Sequence, residues 1–396
     1  MQLSQILHNI NLGEQSIYDY DIKGIAINSR LVSDDFIFAA IPGSKVDGAK
    51  FIPDAIKNGA KVILVPDSYV LDIEKNNVQF IYLKDIKNDL GIILDNFYPN
   101  KPAHIHAITG TNGKTSIADF LRQITSMIGL ESASMGTLGV IRENQPPQES
   151  LTTPDPVTLH NNLNDLANDG VNYIAIEASS HGLDQNRLTG VKAEVAGFTN
   201  LTQDHLDYHE DMQSYLEAKA KLFTEVLKEN GVAVLNADIE EFEQLKQICK
   251  ENNRKVVSYG KNGVELKLIS RTPLTSGQRL NVEIYGVKHE IEIPLAGEFQ
   301  AMNILCAAAM AISLSNHPSK IIELLPKIKG AKGRLEFVAK TPNGASVYID
   351  YAHTPDALKN VINALRPHCD NKLHVLLSQW GLNALITFFN ASGVWA

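Results

Sequence analysis

Cysteine is scarce in this sequence. The three present, Cys249, Cys306 and Cys369, show neither pairing nor metal-ligand spacing. That excludes a disulfide framework and fits a reducing, cytoplasmic compartment. Basic residues are also in deficit: 36 Lys and Arg against 45 Asp and Glu leave a net charge of −9. General nucleic-acid binding and attraction to anionic membranes require the opposite balance. No apolar run approaches 18 residues, so no membrane-spanning helix is expected. The opening MQLSQILHNI lacks the basic start and long apolar core of a signal peptide. Charge is absent from the last 19 residues, 378–396, although 20% of the chain is charged. At that frequency such a run has a chance of roughly one or two in a hundred. Both tryptophans, Trp380 and Trp395, fall inside it.

What is there is globular: 396 residues, 44% hydrophobic, long enough for two or three domains. The chain is organised around residues 104–127, HIHAITGTNGKTSIADFLRQITSM. An apolar run at 105–108 reads as a strand. After the turn, Ile117, Phe120, Leu121, Ile124 and Ile128 fall at helical spacing. Between them lie Gly110, Thr111, Asn112, Gly113, Lys114, Thr115 and Ser116. Strand, glycine turn and helix start are the setting of a phosphate-binding loop. Backbone N–H groups and the helix dipole cradle phosphates, Lys114 reaches the outer one, and the Thr115 hydroxyl meets Mg²⁺. The pattern is a shortened form, because Ile108 stands where the full motif has its first glycine. A turn that binds nothing is the competing interpretation, and Gly-Lys-Thr at the helix start argues against it.

Residues 1–100 read as a small α/β unit, with strands at 22–27, 36–40 and 61–65 and a helix carrying Phe51, Ile52, Ala55 and Ile56. A linker is expected at 99–102. Residues 101–332 alternate apolar strands (105–108, 173–176, 195–198, 232–235) with amphipathic helices, the sign of a parallel sheet. A β-rich insertion is expected at 264–293, and an alanine-rich helix at 299–314 carries Asn303. From 333 a third unit begins, with strands at 346–349 and 373–377 and a helix at 357–365. Glu177 ends a strand, where it would hold the metal that Thr115 touches; a helix cap or salt bridge is the alternative. His205 and His209 are four apart, which suits one helical face and admits zinc. No third soft ligand accompanies them, and a second magnesium at His205 is preferred. Lys219 lies beside Lys221 on an expected helix, where lysines are usually solvated.

Several motifs together resemble the Mur ligases over residues 1 to about 377, and within them the members that add the third residue to the peptidoglycan peptide. They are NSRLVSDDFIFAAIPGSKVDG, TGTNGKTS, LTTPDP, EASSHGLDQNR, FTNLTQDHLDYHEDMQSYLEAKAKLF, GEFQAMN, KGRLE and DYAHTPDAL. The resemblance implies an α/β, three-domain architecture with a central phosphate-loop parallel sheet and a Rossmann-like C-terminal domain that is incomplete in this chain. It implies ATP and Mg²⁺, with Glu177 and His205 on metal and Lys219 carbamylated to anchor a second ion. Lys114, Lys219 and His205 would be catalytic. Asn303 would meet adenine, and Arg334, Asp350 and His353 would complete the nucleotide site. Thr152, Thr153, Ser179, Gln185 and Arg187 would bind the muramoyl-dipeptide, and Ile27, Ser29, Ser44, Lys45 and Val46 its uridine end. The partners implied are UDP-N-acetylmuramoyl-dipeptide and a diamino acid, with no nucleic acid, no membrane insertion and a monomeric chain.

After Leu377 the resemblance stops. The family continues with a glycine-rich loop and an Asp-Asn-Pro-Arg motif that selects meso-diaminopimelate; this chain has the uncharged tail instead. A shifted reading frame or early end accounts for that tail better than a buried strand and helix. Two functions are therefore carried: an ATP-dependent ligase forming an amide through an acyl phosphate, and an inactive remnant that only binds UDP-muramoyl-dipeptide or nucleotide. Residues 333–396 are too few to complete a doubly wound domain, so an exposed sheet edge is expected.

Overall fold

The computed structural model describes residues 1–43, 47–69, 78–203, 208–315, 317–342, 344–377 and 384–388. The chain forms two compact units that are interleaved in sequence. One comprises Met1–Ala103, Thr153–Gly170 and His181–Lys192; the other comprises His104–Thr152, Val171–Ser180 and Ala193–Ala396.

The first unit holds a four-stranded parallel sheet of Gly24–Ala26, Phe36–Ala39, Ala60–Pro66 and Gln79–Leu83, in that order. Ala60–Pro66 is almost wholly buried, as a strand covered on both faces must be. The later segments join this unit through the helix Pro156–Asn168, which packs on Ile86–Phe97. His160 is buried there, with Nε2 2.8 Å from the Thr189 carbonyl oxygen. Gly91 and Gly190 meet backbone to backbone: a Cβ on Gly91 would lie 2.8 Å from the Gly190 nitrogen. Contacts between parts so distant in sequence leave no trace in local composition.

The second unit is built on a ten-stranded sheet. Its order is Val287–Ile293, Gly277–Ile284, Leu266–Leu274, Lys255–Gly260, Leu227–Asn236, Ala193–Phe198, His104–Thr109, Tyr173–Glu177, Ser132–Gly136 and Gly139–Arg142. From Leu266–Leu274 through Ser132–Gly136 the pairing is parallel, and the insertion anticipated at 264–293 is an antiparallel meander extending the same sheet. The strand His104–Thr109 lies between Ala193–Phe198 and Tyr173–Glu177, so the ends of all three open on one rim. Functional groups in such sheets gather at that carboxyl rim.

The helix Glu298–Ser315 is, by length and composition alone, long and apolar enough to cross a membrane. It is instead the core helix of this unit, buried along Ala301 to Ile312 save half-buried Met302, and packed on the helix Lys114–Met127. Its alanines allow close approach, and Gly197 continues the fit: a Cβ there would lie 2.8 Å from Met310 Sδ.

The C-terminal sheet runs Glu336–Lys340, Ser346–Asp350, Ala384–Phe388, Leu373–Leu377, all antiparallel. Only residues 378–383 separate the last two strands in sequence, and a parallel crossover needs a dozen or more. Part of the uncharged tail is therefore a strand. Leu373–Leu377 forms one edge, with Leu376 and Leu377 about 60% exposed.

His106 lies fully buried in the central strand. Its Nδ1 is 2.9 Å from the Tyr173 hydroxyl, and Nε2 has no partner among the described residues. Beside it, Glu194 accepts from Lys228 at 2.6 Å and pairs with His104 at 2.7 Å. Burial pushes the His106 imidazole from 6.5 down to about 3. Between those values the unfolded chain binds a proton that the folded chain excludes. Stability from this group is full above pH 6.5 and is lost as the pH falls toward 3. At about 1.4 kcal/mol per pKa unit the loss amounts to several kcal/mol. Denaturant melts of His106→Asn are expected to show lower stability than the parent at neutral pH and a flatter decline below pH 6.5. Equal slopes would contradict this account.

Candidate active site

The loop after His104–Thr109 is shaped by two glycines. Gly110 has φ +138°, and a Cβ on it would fall 1.9 Å from Thr199 Oγ1. Gly113 has φ +92° and opens the helix Lys114–Met127 with no side-chain cap. The first N–H groups of a helix with such a start can receive an anion. The outer side of the loop is tied down by the segment after Ala193–Phe198. Thr199 Oγ1 donates to the Asn112 carbonyl at 2.6 Å. Asn200 accepts from the Thr111 N–H at 2.9 Å through its carbonyl, and from the Asn112 N–H at 2.9 Å through Oδ1. Thr202 N–H donates to Thr111 Oγ1 at 3.0 Å. Lys114 Nζ donates to the Gly110 and Thr111 carbonyls at 2.9 and 2.8 Å, folded over its own loop. Ser116 is buried beneath.

Glu177 ends the neighbouring strand and is 2% exposed. Thr115 Oγ1 donates to its Oε2 at 3.1 Å, the Thr137 N–H to Oε1 at 2.9 Å, and Thr137 Oγ1 to Oε2 at 3.3 Å. Thr137 Oγ1 is also 3.1 Å from Thr152 Oγ1. Gly136 makes room for this: a Cβ there would lie 1.9 Å from Glu177 Oε1. Burial raises the Glu177 pKa, opposed by Lys114, the two threonines and Arg334. At that burial Glu177 is not a surface ion pair.

Lys219 is 1% exposed, against the expectation of a solvated lysine. Its helix Met212–Lys221 starts at a capping box of Asp211 and Ser214. Lys219 Nζ donates to the Gly110 carbonyl at 2.9 Å and sits 4.3 Å over the Tyr215 ring. The Tyr215 hydroxyl is 3.3 Å from Thr111 Oγ1. His209 precedes the N-cap Asp211 and packs between Tyr208 and Tyr215, so it is not on a helical face as its spacing suggested. His205, Ser44, Lys45 and Val46 lie outside the described residues.

Asn303 is buried in Glu298–Ser315 with Oδ1 against Gly113. The Arg334 guanidinium lies 5.4 Å from the Tyr351 ring centroid. Asp350 is buried, and its oxygens accept the Leu335 and Ala352 N–H groups at 2.7 and 2.8 Å, which makes it a brace for the Arg334 backbone. His353 is exposed, its Nδ1 2.9 Å from the Tyr351 carbonyl oxygen. In the first unit Arg187 donates to the Thr153 carbonyl at 2.8 Å and to Gln185 Oε1 at 2.7 Å, so Thr153, Gln185 and Arg187 form one group. Ile27 and Ser29 belong to neither cluster; Ser29 starts a short turn capped by Asn28. Ser179 is half-buried just past Glu177.

Comparison with known proteins gives three family matches: the Mur ligase middle domain over residues 108–311, the Mur ligase family catalytic domain over 21–98, and the Mur ligase glutamate ligase domain over 333–382. The first alone spans more than half of the chain. The chain belongs to the Mur ligase family. A relative from Caulobacter vibrioides, named UDP-N-acetylmuramoyl-L-alanyl-D-glutamate--2,6-diaminopimelate ligase, is 44% identical over 91% of this chain and 75% of its own length. One of the same name from Bradyrhizobium diazoefficiens is 39% identical over 96% of this chain and 78% of its own length. A solved structure of that name superposes with a TM-score of 0.80 at 30% identity, covering 94% of this chain and 75% of that one. A folylpolyglutamate synthase from Mycobacterium tuberculosis shares the fold at a TM-score of 0.59 and 20% identity, over 70% of this chain and 69% of its own.

In this Mur ligase the Thr115 hydroxyl and the Glu177 carboxylate converge as hard oxygen donors, a set that suits magnesium, which keeps waters and takes few protein ligands. Thr137, Thr199, Asn200 and Tyr215 were not anticipated from sequence. Their one signal was position: Thr199 and Asn200 directly follow the strand beside the loop.

Replacement of Glu177 separates stability from function. At neutral pH the folded chain buries this carboxylate, and burial disfavours its charge. A glutamine has the same shape, and the two hydroxyls can turn to accept from its amide. Without metal, Glu177→Gln is expected to be more stable than the parent by on the order of 1 kcal/mol in thermal melts with a chelator. It should also lose the further stabilisation that magnesium with nucleotide gives the parent. A destabilised variant would show that the buried charge is compensated within the chain.

Proposed function

We propose that this chain is the cytoplasmic ligase that adds meso-diaminopimelate to UDP-N-acetylmuramoyl-L-alanyl-D-glutamate. Members of the family are ATP-dependent, amide-forming ligases, and the two relatives above carry this activity in their names. The observation that supports it most is the buried Glu177 carboxylate hydrogen-bonded to Thr115 beside the glycine loop. The comparisons give the binding-only remnant no support.

Charge dictates the mechanism. The ATP γ-phosphate must meet the D-glutamate carboxylate, and two unit anions 4 Å apart repel by roughly 4 kcal/mol at an effective dielectric of 20. Lys114 would offset this from the outer phosphate, with the N–H groups of the helix start beneath it. Magnesium, held by Thr115 and Glu177, would supply further neutralisation. A carboxylate oxygen attacks phosphorus and ADP leaves with the bridging oxygen, giving an acyl phosphate. The amino group of diaminopimelate then attacks the acyl carbon; phosphate leaves, a proton is released, and an amide remains.

Other roles follow on the same basis. Lys219 would be carbamylated and, with His205, hold a second ion; the buried lysine beside the Gly110 carbonyl supports this. Asn303, Arg334 and His353 would contact the nucleotide, with Asp350 bracing Arg334. Thr152, Thr153, Ser179, Gln185 and Arg187 would bind the muramoyl-dipeptide, and Ile27 and Ser29, with 44–46, its uridine. In these terms residues 1–100 bind the UDP substrate, 101–332 bind ATP, and 333–396 complete the nucleotide site.

The decisive assay is phosphate release from ATP with UDP-muramoyl-dipeptide, with and without diaminopimelate. Release that requires the diamino acid is expected, and Lys114→Ala should lower it by on the order of 10³-fold. Absence of release with all three substrates would overturn the assignment. A carbonyl resonance from ¹³C-bicarbonate, present in the parent and missing from Lys219→Arg, is the expected sign of the carbamate.

A further inference from the structure

We infer that Gln300 is a positioning residue for the nucleotide: its buried amide sets Asn303 and Arg334 with respect to each other. Gln300 is 0% exposed near the start of Glu298–Ser315. Its Nε2 donates to the Arg334 carbonyl at 3.1 Å, and its Oε1 accepts from Asn303 Nδ2 at 3.1 Å. Both halves of one amide are therefore used, one on each of two residues from separate parts of the sequence.

Each bond fixes something specific. The bond from Asn303 Nδ2 decides which way that amide faces, and it turns Oδ1 toward Gly113. There a Cβ would lie 2.4 Å from Oδ1, so the asparagine rests directly against the phosphate loop. The bond to Arg334 grips one end of the Arg334–Leu335 peptide, and Asp350 grips the other through the Leu335 N–H at 2.7 Å. Leu335 has φ +50°, a strained conformation for a branched side chain that such a double hold can maintain. A continuous chain then runs from Gly113 through Asn303 and Gln300 to Arg334. A buried amide without partners is costly, so this geometry is strongly specified.

The inference rests on the assignment of Asn303 and Arg334 to the nucleotide, and the test separates the two. ADP binding to the full chain would be measured by calorimetry with magnesium, alongside binding of UDP-muramoyl-dipeptide and a thermal melt. Gln300→Leu, which removes both bonds, is expected to weaken ADP by about ten-fold or more and to leave the dipeptide unchanged. Combined with Asn303→Ala it should weaken ADP little beyond Asn303→Ala alone, because both break one chain. A parent that binds no ADP overturns the nucleotide assignment. A parent that binds ADP and a Gln300→Leu that binds it equally overturn the positioning role, as does an equal loss for ADP and dipeptide. Should Gln300→Leu lack a cooperative melt, Gln300→Glu carries the same comparison. Its carboxylate still accepts from Asn303 but has no N–H for Arg334, and unchanged ADP affinity would overturn the inference.

Discussion

The bond from Thr199 to the Asn112 carbonyl shows what the site depends on: a loop whose outward polar groups are already satisfied. A phosphate cradle works only if its N–H groups point inward and stay there. Here Asn200 takes up the N–H groups of Thr111 and Asn112, and Thr199 takes up a carbonyl. The donors of the helix start, beyond Gly113, are the ones directed at an anion. Preorganisation of this kind matters because no free energy is then spent reorienting dipoles when charge develops. It comes from the sheet: the strand before Thr199 pairs with the strand before the loop, in parallel register.

A chain of net charge −9 that handles phosphates must place its cations with care. Lys114 lies on the loop, and Lys219 lies beneath it with its ammonium on the Gly110 carbonyl and over Tyr215. Arg334 approaches from the C-terminal region, close enough to act on the charge of Glu177. Glu177 is the counterweight, a carboxylate kept out of water among hydroxyl donors. Burying a carboxylate carries a desolvation cost, and groups perturbed in this way cluster at functional sites. Gly136 points the same way, since it leaves the carboxylate room that any side chain would take.

Much of this was legible in the sequence because it is local. The loop, its flanking strand and helix, and Glu177 at the next strand's end all follow from spacing and pattern. Features set by distant pairings were not. The burial of Lys219 depends on how its helix docks under Gly110, which helical periodicity around two lysines does not reveal. Thr137 matters only because the strand it follows, Ser132–Gly136, lies beside that of Glu177. The joining of Thr153–Gly170 and His181–Lys192 to the first unit rests on contacts such as Thr189 with the Lys87 carbonyl. At the C-terminal end, the short span between Leu373–Leu377 and Ala384–Phe388 goes with antiparallel pairing, and the second of these strands lies in a tail whose composition gave no strand signal.

The approach to the core helix Glu298–Ser315 ties these threads together. Its apolar body would pass for a membrane span, yet the segment before it is held by buried polar side chains. Gln278 Nε2 donates to the Leu295 and Gly297 carbonyls at 2.8 and 2.9 Å. His368 Nε2 accepts the Gly297 N–H at 3.0 Å, so its proton resides on Nδ1, 2.9 Å from the Leu274 carbonyl oxygen. Gln278 comes from the antiparallel meander and His368 from the C-terminal region, so both regions are registered against one short backbone stretch. Hydrophobic burial alone would let the helix slide or rotate among similar packings. Satisfied polar networks admit one arrangement, and they specify geometry more than they add stability. Asn303 is set against the loop by that arrangement, on a helix that its own composition would have left unplaced.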